Sequence, residues 1–455
     1  MTETIKDTEI NCKDDLVDYF RQGSKPPDQW GIGTEHEKFL FRGTDLRRLD
    51  YGSVPGIKTI LKHMAENGWE PVYEKDQIIG LVNDGASISL EPGGQFELSG
   101  KNFLTVHETF RETQKHFEEL KSICQRFGVF SLAVGFDPLW ARNVVPWMPK
   151  QRYAEMRDYM PGKGTLGLDM MTRTATIQVN LDYGSEQDMV RKMRVSQAFQ
   201  PVVTALFANS PFSEGKDNGY LSYRAHVWDH TDPDRCGFLP FIFDESFGFE
   251  RWVDYLLDVP MYFIYRDGAY IPAQGMTFRR FMDGNHVVKP VIKDWETHVS
   301  TVFPDVRLKR YIEMRGADAS CVYHISALAA LWVGLLYDKN SLDEAYSLAS
   351  GWTPETIQEV RAQVPKKGLK AVSGTMNAGV VARELIKIAA AGLARRSLTM
   401  GIEDEGKYLE PISEIAASGI TQAERYLKEY YRGWDQDVRK LVRSWPTFRM
   451  FCCKE

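Results

Sequence analysis

The sequence predicts an α+β protein, on three observations. Up to about Asp318, short segments alternate apolar and polar residues between glycine-rich turns, the period of half-buried strands. From Ser320 onward the apolar residues recur at helical spacing instead. Between Ser87 and Ser99, a Pro92-Gly93-Gly94 centre separates two cleanly alternating arms, as in a β-hairpin. Strands followed by helices is the layout of the α+β class.

Taken in order, Gly33 to Phe39 reads as a strand with Glu35 and Glu37 on one face and His36 and Lys38 on the other. The hairpin places Ile88, Leu90, Phe96 and Leu98 on an inner face. Its other face carries Ser87, Ser89, Glu91, Gln95, Glu97 and Ser99, provided the register is near symmetric about the turn. A helix follows over Phe103 to Phe127, with Phe103, Phe110, Phe117, Leu120, Ile123 and Cys124 as its core face and a stop at Gly128. Thr176 to Asp182 alternates Ile177, Val179 and Leu181 against Gln178, Asn180 and Asp182. A second helix starts at Ser185, with Asp188 as its capping partner, and runs to about Asn209 before Pro211. Tyr311 to Arg315 is a further strand, opposing Ile312 and Met314 to Glu313 and Arg315.

The 455 residues, 43% hydrophobic and 26% charged, bury a large core without staples. Length alone allows one large domain or about two or three smaller ones. A net charge of −6 gives no general attraction to nucleic acid or anionic membranes, so neither is an expected partner. The longest apolar run, Ile325 to Tyr337, is too short to cross a bilayer. Met1 to Asp15 is acidic and has neither the regions of a secretory signal nor the arginines of a transit peptide, so the expected compartment is the cytoplasm. Cys12, Cys124, Cys236, Cys321, Cys452 and Cys453 are scattered without ligand spacing and are expected to be mostly free thiols.

The polar strand faces carry the chemistry. One such face is ordinarily plain solvated surface. Here they collect Glu, Gln, Asn and Arg rather than the usual mixture with Lys and Thr. Glu35, Glu37, Glu91, Glu97 and Glu313 on neighbouring strands would form a hard-oxygen cluster suited to magnesium, with Arg315 as a fork for phosphate or carboxylate. No Walker-type loop or dinucleotide fingerprint is present. The residues by themselves leave two readings open: magnesium-assisted phosphoryl chemistry on an antiparallel sheet, or a structural polar face. His36 points away from the glutamates and reads as a structural, hydrogen-bonding histidine; His226 stays open.

The segments Gly33 to Phe39 and Ser89 to Ser99 closely resemble the plant and proteobacterial type of glutamate-cysteine ligase. So do Met156 to Pro161, Gly167 to Met171, Phe207 to Phe212 and Arg307 to Asp318, in the same order, from about Trp30 into the C-terminal region. The resemblance implies a single catalytic domain over 1–455 with a mostly helical portion 320–455. Its catalytic fold would be of the glutamine synthetase and guanido kinase kind, a curved antiparallel sheet of about six strands forming a funnel surrounded by helices. It implies ATP-dependent joining of the glutamate γ-carboxylate to the amine of cysteine through a γ-glutamyl phosphate, the first step of glutathione synthesis. Glutamate, cysteine and ATP would be the small-molecule partners, with about two or three magnesium ions held by Glu35, Glu37, Glu91, Glu97 and Glu313. Arg315 and Gln178 match catalytic positions. Asn180, Arg173 and Arg224 match substrate-binding ones, the two arginines being exchangeable in role. Positions matching regulatory cysteines of plant members are here Phe110, Ala273 and Ser326, so that thiol switch is expected to be absent. The chain is expected to be a monomer or a weak homodimer. Alternatives are a ligase with another amine acceptor, a magnesium phosphohydrolase, or a non-catalytic nucleotide binder.

Overall fold

The computed structural model describes residues 8–444 except 267, 274 and 285. Cys452 and Cys453 lie outside the described residues. The main sheet has nine strands: β1 (Ile32–Arg42), β2 (Glu70–Glu74), β3 (Gln77–Asn83), β4 (Ala86–Leu90), β5 (Phe96–Ser99), β6 (Val129–Leu132), β7 (Thr176–Leu181), β8 (Val306–Leu308) and β9 (Ile312–Asp318). Their order is β8-β9-β7-β1-β5-β4-β3-β2, with β6 paired to β1, and all these pairings are antiparallel. The sheet is open and larger than expected, and its fold class is α+β.

Alternation decides which side each residue occupies. The apolar faces of β3, β4 and β5 pack into one core with the helix Ile57–Glu66 and with Leu120 and Ile123 of α1 (Val106–Phe127). Ile177, Val179, Ile312 and Met314 pack into a larger core with α2 (Glu186–Leu206), α3 (Val322–Leu336) and α4 (Ala378–Met400). Helices therefore cover the apolar side of the sheet and leave the polar side to a cavity.

Local signals place the helices. The α1 N-terminus is a capping box in which the Thr105 hydroxyl accepts from the Glu108 N–H and the Glu108 carboxylate accepts from the Thr105 N–H. Gly128, at φ 63°, closes the other end. Its buried face runs Val106, Thr109, Thr113, Phe117, Leu120 and Cys124. The predicted face holds at Phe117, Leu120, Ile123 and Cys124, whereas Phe103 lies before the helix and Phe110 is only partly buried, against Tyr323 and Tyr408. In α2, Ser185 caps Asp188 as expected, but the helix ends at Leu206.

The hairpin turn is fixed by close approach. A Cβ on Gly93 would lie 2.2 Å from the Thr172 carbonyl oxygen. Arg48 donates to the Gly93 carbonyl at 2.6 Å and to buried Asp137 at 3.0 Å, tying the turn to the body. The four cysteines within the described residues are free. No helix there is long and apolar enough to cross a membrane.

Backbones also meet where α3 crosses α4: a Cβ on Gly392 would sit 2.0 Å from the Gly334 carbonyl oxygen, and one on Gly334 would sit 2.3 Å from that of Ala389. Gly392→Ala is therefore expected to force the two helices apart and cost about 1–3 kcal/mol, read as a lower urea midpoint. An unchanged midpoint would show that the crossing tolerates a methyl group.

Candidate active site

A cavity of about 450 Å³ opens on the polar side of the sheet. Glu35 and Glu37 of β1, Glu97 of β5 and Glu91 just after β4 line it, with Gln178 of β7 and Arg315 of β9. The hairpin register is symmetric about Gly93, with Ser89 opposite Glu97 and Leu90 opposite Phe96. Between β1 and β5, Glu37 stands directly opposite Glu97. Two like charges are thus placed face to face, an arrangement that destabilises a sheet unless something cationic intervenes.

The electrostatics follow. Burial, then Glu97 and Glu91, push the Glu37 carboxyl well above the usual range. Burial with Glu91 and Glu35 pushes Glu97 up to about 7, although Ser99 Oγ donates to it at 2.9 Å. Glu35 is better supported, accepting from Asn180 Nδ2 at 2.9 Å and Gln178 Nε2 at 3.2 Å.

The opposite wall is cationic. A register shift between Met314 and Ala317 puts Arg315 and Gly316 together opposite β7 near Gln178, the two-against-one count of a β-bulge. Arg315 donates to Gln178 Oε1 at 2.5 Å and to Glu313 Oε1 at 3.1 Å. Its freed carbonyl accepts from Arg224 at 2.9 Å. Arg224 is 3% exposed, lines the cavity and keeps its Nε buried without a partner among the described residues. Burial and neighbouring Arg315 bring its pKa down to about 10 despite the opposing carboxylates.

Three of the expected site residues are engaged by neighbours in this structure. Glu313 is fully buried with both oxygens engaged, by the Arg307 fork and by Arg315, so as it stands it is an anchor for two arginines rather than an open metal ligand. Arg173 does not line the cavity: it pairs with Asp169 at 2.9 Å and stacks over Phe136, which leaves Arg224 as the better placed of the two. Asn180 does not line the cavity and donates to Glu35. His36 is structural but hydrogen-bonds to nothing among the described residues through its ring, which is buried beside His116 and Phe117. His226 stacks on Tyr220 away from the cavity.

The sequence matches the model of glutamate-cysteine ligase family 2 (GCS2) over residues 31–444. The chain belongs to that family. It is 48% identical over 447 residues to the chloroplastic glutamate–cysteine ligase B of Oryza sativa subsp. japonica, covering 97% of this chain and 88% of the relative. It is 49% identical over 441 residues to the chloroplastic glutamate–cysteine ligase of Arabidopsis thaliana, covering 96% and 83%. The structure of a glutamate–cysteine ligase from Francisella tularensis, solved with AMP, superposes with a TM-score of 0.53 at 12% identity, covering 92% of this chain and 90% of that one, a likeness of fold. As a member of glutamate-cysteine ligase family 2, the chain is an ATP-dependent ligase that forms γ-glutamylcysteine, the first step of glutathione synthesis. The relatives correct the expected compartment. Both are named chloroplastic, and the acidic start of this chain does not place it in the cytoplasm.

Within this glutamate-cysteine ligase family fold, further cavity residues escaped the sequence reading. Arg307 and Lys309 precede Glu313 and Arg315 on the same motif, and their spacing of two was a usable signal. Arg152 and Tyr153 come from the helix Arg152–Tyr159, and Tyr265 and Tyr270 from a separate hairpin, where nothing local marks them.

A carboxyl with a higher pKa folded than unfolded takes up its proton preferentially in the fold, so its stabilisation is lost as pH rises from its ordinary 4.5 through about 7. In chelator, the melting temperature of the protein is expected to fall between about pH 5 and about pH 8, and Glu97→Gln is expected to flatten that slope. Parallel slopes for the two proteins would remove Glu97 as its source.

Proposed function

We propose that this cavity activates glutamate as a γ-glutamyl phosphate, with magnesium held by Glu35, Glu37, Glu91 and Glu97. The carrying observation is that these carboxylates share one sheet face with the Arg315–Gln178 pair. Among the described residues no three His, Cys, Asp or Glu side chains are arranged to hold an ion as they stand. The donor set supports magnesium by its chemistry: hard oxygens only, crowded until two of them resist ionisation. When bound, magnesium would neutralise these carboxylates and the triphosphate charge.

A γ-carboxylate oxygen of glutamate attacks the terminal phosphorus of ATP, and the bond from that phosphorus to ADP breaks. The neutral amine of cysteine then attacks the acyl carbon, the bond to phosphate breaks, and the amine proton passes to the departing phosphate. Arg315, aimed by Gln178 and Glu313, offsets charge on the transferring and departing phosphate. Arg224, with its unpartnered Nε, takes a substrate carboxylate. Glu313 holds Arg307 and Arg315 in place.

With ¹⁸O in the glutamate γ-carboxylate, one label is expected in the released phosphate; unlabelled phosphate would rule out the acyl phosphate. Glu91→Gln is expected to keep the fold and weaken magnesium-dependent turnover about 10²-fold or more, with a matching loss in manganese binding followed by its paramagnetic signal. Unaltered metal binding would take Glu91 out of the metal site. Arg315→Lys should also lose about 10²-fold in kcat, since a point charge cannot replace a planar fork. A full-rate lysine variant would reduce Arg315 to general electrostatics.

A further inference from the structure

Two stretches that carry the family resemblance contribute nothing to the cavity lining: Phe207 to Phe212, and the Ala317–Asp318 end of β9. Their polar residues are nevertheless deeply buried, with Asp318 at 0% exposure and Asn209 and Ser210 at 1% each. A carboxylate in such a place has to be satisfied by donors. Asp318 Oδ2 accepts from the Asn209 N–H at 2.8 Å and from Ser210 Oγ at 2.6 Å, and its Oδ1 accepts from Ser222 Oγ at 2.8 Å.

Both serines pass this anchoring on to one short helix, Tyr223–Asp229. Ser222 Oγ caps it by accepting from the Ala225 N–H at 3.2 Å, and Ser210 Oγ accepts from the Arg224 N–H at 3.1 Å. The Arg224 guanidinium then reaches back to the Arg315 carbonyl on the strand that carries Asp318. Its backbone and its side chain are therefore both referred to β9. The anchor is held from behind as well: a Cβ on Gly135 would fall 2.3 Å from Asp318 Cγ, and Asn209 Nδ2 donates to the Ala319 carbonyl at 2.8 Å.

We propose that Asp318, acting through Ser210 and Ser222, is a positioning residue that sets Arg224 beside Arg315 so that its free Nε meets a substrate carboxylate. This rests on the assignment of Arg224 to a substrate carboxylate given above. Asn in place of Asp318 keeps the shape but exchanges one acceptor for a donor, against partners that all donate. The error enters at the start of the helix and is delivered at the guanidinium. Because Arg224 lies on the cavity wall and Asp318 does not, the effect should appear as binding rather than as loss of the phosphoryl step.

The test is a double-mutant cycle on the full chain, reading KM and kcat for glutamate and for cysteine in Arg224→Lys, Asp318→Asn and the combined variant. Expected is a rise of about tenfold or more in the KM of one substrate in Arg224→Lys, a rise in the same KM in Asp318→Asn, and no further rise in the combination. If Asp318→Asn leaves that KM unchanged, or if the two effects multiply in the combination, the inference fails while the reading of Arg224 stands. If Arg224→Lys alters neither KM, the reading of Arg224 fails and this inference with it. Should Asp318→Asn not fold, Ser210→Ala cuts the link to the Arg224 N–H while leaving Asp318 paired with Asn209 and Ser222, and the same cycle decides.

Discussion

The opposition of Glu37 and Glu97 across β1 and β5 is the constraint around which the site is built. An antiparallel sheet brings directly opposed side chains within about 5 Å of one another, and a buried pair of like charges at that distance is tolerated only when the surroundings compensate. The compensation is arranged by layers. The alternate residues of the same strands go into two large apolar cores beneath the helices, so the sheet is stable for reasons that do not involve its polar side. The carboxylates can then remain crowded on the other face, where burial and mutual repulsion push Glu37 and Glu97 toward their protonated forms.

The cationic wall solves the opposite problem. Arg307, Arg315 and Lys309 gather at one end of the cavity and repel one another, and burial disfavours their charges further. Glu313 answers this by giving both oxygens to Arg307 and Arg315; burial pushes its pKa up, but the charges of Arg307, Lys309 and Arg315 outweigh that and hold it well below the carboxylate range. An arginine fork paired on one edge keeps other N–H groups for a ligand, so this ion pair fixes direction without using up the donors. The bulge at Arg315–Gly316 supplies what a regular strand could not. It releases the Arg315 carbonyl from the ladder, and that carbonyl is what Arg224 binds.

The hairpin and β9 were legible because one face of each is apolar, so a period of two survives in the sequence, whereas β1 was marked by Glu35 and Glu37 at that same spacing. β2 and β3 were not, because β2 is an exposed edge and the Gln77–Asn83 strand places Ile78 and Ile79 side by side. β6 and β8 are too short to show a period. Within the site, sequence could say which carboxylates share a face, since alternation fixes that. It could not say that Glu313 would be taken by Arg307, because the partner depends on the β8–β9 register, nor that Arg173 would close on Asp169 one helical turn away instead of reaching the cavity. Lys38 is the converse case. Its side was readable, but not that it would be wholly buried, with Nζ beside His116 and the His36 carbonyl.

The same carboxylate face would serve a phosphohydrolase, so what makes the site a ligase has to lie in the rest of the wall. An acyl phosphate survives only where water is kept from its carbonyl until the amine arrives. Part of the lining is apolar or aromatic: Tyr153, Met156 and Met170 come from the segments between β6 and β7, and Phe263, Tyr265 and Tyr270 from a two-stranded hairpin outside the main sheet. Such side chains give water few hydrogen-bond partners and strengthen every charge interaction at the polar end. The sheet thus supplies the charged part of the cavity, and elements outside it supply the apolar and aromatic part, which on the proposed mechanism would shield an activated carboxyl from water.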